Sequence, residues 1–132
     1  MSKGKILIVD DEIAICNSLC NLLSGEGYDV DYRLGAKGGL EVIKQQKDFD
    51  VVITDITMPD MDGVTFLKEI KQIDSMLPVV IITGSTADEN IEKTFRGHAY
   101  EFIVKPFTAV KIFFVVKQAV SHYASLKKFK SK

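Results

Sequence analysis

Asp10 and Asp11 end the apolar run Ile6-Leu7-Ile8-Val9, Asp55 ends Val51-Val52-Ile53-Thr54, and Lys105, followed by Pro106, ends Phe102-Ile103-Val104. Three carboxylates and a lysine thus stand where buried strands should stop. If those strands share one parallel sheet, the exits fall on one edge and the charges converge. Crowded carboxylates repel, and one of them takes up a proton unless a cation joins them. Magnesium suits such a place, because it takes one or two carboxylates, keeps several waters and holds phosphate oxygens. Asp10 and Asp11 are candidate ligands, with Glu12 in the same acidic pocket. Asp55 could be a third ligand, a general base or a nucleophile that forms an aspartyl-phosphate. Lys105 would offset charge on a phosphoryl oxygen. Thr83, which closes the run Val79 to Ile82, adds a hydroxyl, and Gly84 behind it leaves room for an incoming group. Taken singly, an aspartate after a strand is as readily the N-cap of the next helix. Agreement among four strand ends is what points to a site.

The elements that must position these groups alternate along the chain. Ile6 to Val9, Val51 to Thr54 and Val79 to Ile82 are continuous and rich in β-branched residues, as expected of a sheet covered on both faces. Tyr28 to Tyr32 alternates apolar and charged residues and reads as an edge strand; Phe102 to Val104 is the fifth. Helical spacing predicts a helix from Ile13 to Ser24, with Ile15, Leu19, Leu22 and Leu23 as its stripe, stopped by Gly25-Glu26-Gly27. Ala36 to Gln46 is a weaker helix, since Gly38 and Gly39 each cost about 0.5–1 kcal/mol relative to Ala. Val64 to Ile73 turns Phe66, Leu67 and Ile70 inward, Asp88 to Arg96 is short and polar, and a last helix runs from about Thr108 to Leu126. Strands and helices alternating through short connections mean parallel strands and right-handed crossovers. The expected fold class is α/β, a doubly wound five-stranded parallel sheet of order 2-1-3-4-5 with helices on both faces. Its switch point lies between strands one and three, where Asp10, Asp11 and Asp55 sit.

Bulk properties narrow the classes. At 132 residues the chain suits one domain with a proper core, and 46% apolar with 27% charged residues is ordinary for a soluble protein. A net charge of -1 gives no basis for nucleic-acid binding by general attraction. No apolar stretch approaches the roughly 18 residues of a membrane helix, and the start of the chain lacks the apolar segment of a signal peptide, so a cytoplasmic location is expected. Cys16 and Cys20 share a helix face, but no neighbouring His, Asp or Glu completes a set of four ligands; they read as reduced thiols.

The residues Asp10-Asp11-Glu12, Asp55-Ile56-Thr57-Met58-Pro59-Asp60-Met61-Asp62-Gly63, Thr83-Gly84 and Lys105-Pro106-Phe107 resemble, in order and spacing, the receiver domain of two-component response regulators. The resemblance covers essentially the whole chain and implies a flavodoxin-like fold. By it, Asp55 accepts a phosphoryl group from the phosphohistidine of a sensor histidine kinase or phosphotransfer protein. Asp11 and Asp55 bind Mg2+ directly with the backbone carbonyl of Thr57, and Asp10 acts largely through water. Thr83 and Lys105 contact the phosphoryl oxygens, and Phe102 occupies the aromatic position that follows Thr83 in switching. Thr57 and Ser85 fall at the two positions that tune dephosphorylation. Such a domain catalyses its own phosphorylation and dephosphorylation and serves as a switch rather than an enzyme. A magnesium-dependent phosphatase would usually carry a second acid where this chain has Thr57. A flavin module must hold a phosphate at its first loop, where Asp10-Asp11-Glu12 would repel one. A degenerate receiver would not keep every chemical position.

One departure from the family pattern is His98-Ala99, with Gly97 one place earlier, where Gly-Ala is usual. His98 and His122 read as surface residues. In the last helix, Ala109, Ile112, Val116, Ala119, Val120 and Tyr123 supply a core stripe, which leaves Phe113, Phe114 and Val115 over. At least one large side chain should reach the surface, and with the Asp88-to-Arg96 helix and fifth strand form a homodimer or effector face. The domain is read as residues 1–126, with 127–132 a basic tail or the start of a truncated linker.

Overall fold

The computed structural model describes residues 2–84 and 98–130. Five strands, β1 (Lys5–Val9), β2 (Asp29–Arg33), β3 (Val51–Asp55), β4 (Val79–Thr83) and β5 (Glu101–Val104), form one parallel sheet in the order β2-β1-β3-β4-β5. Four helices accompany them among the described residues: α1 (Ile13–Gly25), α2 (Ala36–Gln45), α3 (Gly63–Ile73) and α4 (Ala109–Lys130). The expected helix from Asp88 to Arg96, together with Ser85, Gly97 and the last two lysine-tail residues, lies outside the described residues.

Alternate residues of each strand feed two separate cores. Leu7, Val9, Val52, Val79 and Ile81 face α2 and α3, where they meet Leu40, Phe66 and Ile70. Ile6, Ile8, Val51, Ile53, Val80, Ile82 and Ile103 face α1 and α4, where they meet Leu19, Leu23, Ile112 and Val116. Because strand residues point alternately to opposite faces, a sheet covered on both sides needs the unbroken apolar runs of the sequence. Full burial of each such side chain contributes about 1.5–3 kcal/mol. β2, at the edge, is only half-buried, in keeping with its alternating charges.

The helix phases differ from expectation in places. In α1 the buried residues are Cys16, Leu19 and Leu23, while Ile15 and Leu22 are half-buried. Cys16 is therefore a core residue, and it and Cys20 are free thiols. In α4, Val115 is buried and Ala109 exposed, the reverse of the expected stripe. Five consecutive apolar residues, Ile112 to Val116, fit more than one helical phase, and packing against the sheet selects Ile112, Val115, Val116, Ala119 and Tyr123. Phe114, 61% exposed, reaches the surface as expected, and Val110 does so too. The helix also runs to Lys130, into the stretch read as a tail.

Two glycines adjacent in α2 have different duties. A Cβ on Gly39 would lie 2.9 Å from Val9 Cγ2 and 3.3 Å from Phe66 Cζ, so α2 can approach β1 and α3 only because that Cβ is missing. Gly38 has only ordinary contacts, with Arg33. Gly27, at φ +99°, supplies the left-handed turn after α1. No helix among the described residues is long and apolar enough to cross a membrane.

Candidate functional site

Register decides which strand exits meet. Val9 pairs with Thr54, which sets Asp10 beside Asp55; Asp55 pairs with Ile82, and Thr83 with Val104. The strand ends are tied further by Asp10 N–H donating to the Arg33 carbonyl at 3.2 Å and Lys105 N–H donating to the Thr83 carbonyl at 2.8 Å. The peptide between Lys105 and Pro106 is cis.

The expected charges converge there. Asp10, Asp11 and Asp55 each offer a carboxylate oxygen within 4.8 Å of the others. Lys105 Nζ stands 3.6 Å from Asp55 Oδ2. Asp55 Oδ1 accepts the Thr57 N–H at 3.1 Å, so its two oxygens have different neighbours. Asp10 is buried and Asp11 exposed, with Asp55 between. Burial, chiefly, pushes the Asp10 carboxyl up to about 6; the Glu12 N–H works against this, and the charges of Asp55 and Asp11 add to it. Thr83 is buried at the next strand exit, and Phe102 is half-buried against the α2–α3 core.

Neither Asp10 nor Asp11 is the N-cap of α1; that position is Glu12, and its side chain makes no capping bond. Asp10 instead folds the loop, its Oδ1 accepting the Glu12 N–H at 2.9 Å. Cys16 lies directly beneath, its thiol donating to the Asp10 carbonyl at 3.7 Å, and burial pushes that thiol up to about 11.

Three supporting residues, Asp60, Gly35 and Gly63, were given no role by the sequence. Asp60, in the loop after β3, accepts the Ala36 and Lys37 N–H groups at 3.2 and 3.0 Å, capping α2 from 24 residues away. These donors hold its carboxyl below the ordinary value. Gly35 makes the approach possible, since a Cβ there would lie 2.9 Å from Asp60 Oδ2. Gly63 lets α3 start against the loop backbone, because a Cβ would meet the Ile56 carbonyl at 2.9 Å. Asp62 caps α3, its Oδ1 accepting the Thr65 N–H at 2.9 Å. His98 and His122 are exposed and away from this site.

The donor set fits a hard divalent cation. All three acids offer oxygen, and a divalent cation would offset the burial and the acidic neighbours that raise the Asp10 carboxyl.

Residues 6–117 match the family model described as the response regulator receiver domain. The transcriptional regulatory protein ZraR of Escherichia coli K12 is 34% identical over 121 residues, which are 92% of this chain and 27% of that protein. The chain thus spans little more than a quarter of that relative. A receiver domain protein from Clostridium thermocellum superposes with a TM-score of 0.87 at 32% identity, covering 93% of this chain and 98% of the other. The beryllofluoride-activated NtrC4 receiver domain dimer gives 0.82 at 35% identity, covering 90% and 98%.

Proposed function

Because the chain belongs to the response regulator receiver family, we propose that it is a phospho-accepting switch with Asp55 as acceptor. The observation that carries this reading is the meeting of Asp10, Asp11, Asp55 and Lys105 at one sheet edge. In the proposed step an Asp55 carboxylate oxygen bonds to phosphorus while the phosphorus–nitrogen bond of a partner's phosphohistidine breaks, its electron pair returning to the imidazole. Asp55 is held for this by the Thr57 N–H on Oδ1. Lys105 sits where charge on the transferred group would develop, and Thr83 offers a hydroxyl from the adjacent strand exit. Asp11, Asp55 and the Thr57 carbonyl would hold Mg2+, with Asp10 acting through water. Bound there, the ion would supply positive charge that lets the carboxylates stay ionised beside a phosphoryl group.

The readout we infer is a movement of Thr83 toward the new phosphate, followed by Phe102 turning further into the α2–α3 core. This would alter the surface formed by β5, α4 and the preceding segment, and so control a partner or an attached output domain. A homodimer through α4 is the favoured assembly, supported by exposed Val110 and Phe114 and by the dimeric NtrC4 receiver. The donor would be a sensor histidine kinase or phosphotransfer protein, and the place of action the cytoplasm.

The test is to incubate the protein with Mg2+ and a small phosphodonor and weigh it intact. One added phosphoryl group is expected in the wild type and none in Asp55→Asn. Equal labelling of both proteins would overturn the assignment of Asp55.

A further inference from the structure

A cavity of about 460 Å³ opens at the end of the sheet opposite Asp55, among the ends of α2 and α3, the segments entering β3 and β4, and the last turns of α4. That volume is within the range of small-molecule sites, roughly 300–1,000 Å³. Phe49, Met76 and Leu77 give it an apolar wall. Three lysines, Lys47, Lys71 and Lys127, line it with one acid, Asp74, and Lys127 is also ion-paired with Asp50. Asp74 is already engaged, one carboxylate oxygen accepting the Met76 N–H at 3.0 Å and the other the Tyr123 hydroxyl.

Lys71 is the telling member. Its side chain is drawn into the wall, and Nζ donates to the Leu77 carbonyl at 2.6 Å. An ammonium has three donors, and Leu77 is the one hydrogen-bond acceptor Lys71 meets among the described residues. Burial pushes its pKa down, and the charge of Asp74 works against this. Lys127, also in the lining, lies 4.3 Å above the Tyr123 ring and 3.7 Å from Asp50.

We propose that this cavity binds a small organic anion with an apolar body, an aryl carboxylate in its simplest form. The carboxylate would meet Lys71 and Lys127 through charge-assisted hydrogen bonds, and the ring would lie against Phe49 and Met76. Such a ligand joins the α3–β4 connection to the end of α4. It is independent of the phosphoryl site.

The experiment is an amide-shift titration of the isotope-labelled chain with benzoate, and with benzamide as the neutral isostere. Saturable shifts are expected at Lys47, Phe49, Lys71 to Leu77 and Tyr123, with benzamide weaker by about tenfold or more. Lys71→Met and, separately, Lys127→Met should each weaken benzoate by about fivefold or more while amides distant from the cavity keep their positions. Lys127 is exposed, so its variant tests the site even if Lys71→Met fails to fold. Equal binding of benzamide, shifts scattered over the surface, undiminished affinity in Lys127→Met, or no saturable shift at millimolar benzoate would each overturn the proposal.

Discussion

Lys105 reaches Asp55 across an intervening strand: Nζ stands 3.6 Å from Asp55 Oδ2 although β4 separates β3 from β5. The pair therefore tests the sheet edge as a unit. Lys105→Met should slow phosphorylation from a small donor by about 10²–10³-fold, the range for losing one preorganised group opposite developing charge. Stopped-flow or intact-mass kinetics at saturating Mg2+ would measure it. A rate within threefold of wild type, an estimate of about 0.6 kcal/mol, would remove Lys105 from the proposed machinery.

Asp10 places a buried carboxylate beside two others. Asp10→Asn keeps the shape and removes the charge, so the metal-free protein should gain about 1 kcal/mol or more at neutral pH. The same change should abolish most of the stabilisation that millimolar MgCl2 gives the wild type. Thermal unfolding of both proteins, with and without MgCl2, reads both effects. Destabilisation of the metal-free variant would contradict repulsion among Asp10, Asp11 and Asp55.

Asp60 caps α2 through two N–H groups. Asp60→Ala should cost about 1 kcal/mol at pH 7. The donors lower the folded-state pKa, so the folded protein binds the proton less readily than the unfolded chain. The stabilisation is thus present above the ordinary carboxylate value of 3.8 and lost as pH falls through the lower folded value. Urea unfolding at pH 7 and at successively lower pH should show wild type and variant drawing together below about pH 4.

Gly38 and Gly39 should respond oppositely to alanine. Helix propensity favours Ala over Gly by about 0.8–1.0 kcal/mol at either position. At Gly38, where only ordinary contacts await the new Cβ, that gain should survive as higher stability. At Gly39 the contact at 2.9 Å from Val9 demands repacking of about 1–3 kcal/mol, which outweighs it. Denaturant midpoints of the two variants moving in the same direction would refute this contrast.

Phe114 tests the proposed assembly. If phosphorylation promotes a dimer through α4, Phe114→Ser should leave the phosphorylated protein monomeric without altering labelling of Asp55. Sedimentation with and without beryllofluoride is the measurement; a wild type that stays monomeric in both conditions would count against the dimer.

The strand order and the meeting of the acids were legible because both follow from periodicity and connection length. Continuous runs such as Val79 to Ile82 announce strands buried on both faces, and residues ending parallel strands must share an edge. What escaped depends on distances between remote segments. Nothing local to Asp60 reveals that it caps α2, and nothing local separates Gly38 from Gly39, since the difference lies in Val9 and Phe66. The width of the buried face of α4 was likewise hard to read: Ile112, Val116, Ala119 and Tyr123 are buried as expected, but the unbroken run from Ile112 to Val116 does not reveal that Val115 joins them.

β2 ends the sheet on one side with Asp29, Asp31 and Arg33, the last two joined at 2.8 Å. A strand from another molecule that tried to extend the ladder there would have to desolvate those charges against its own backbone, a device that protects sheet edges. In a crowded solution this border discourages end-on growth into fibrils and leaves encounters between molecules to other sides of the fold.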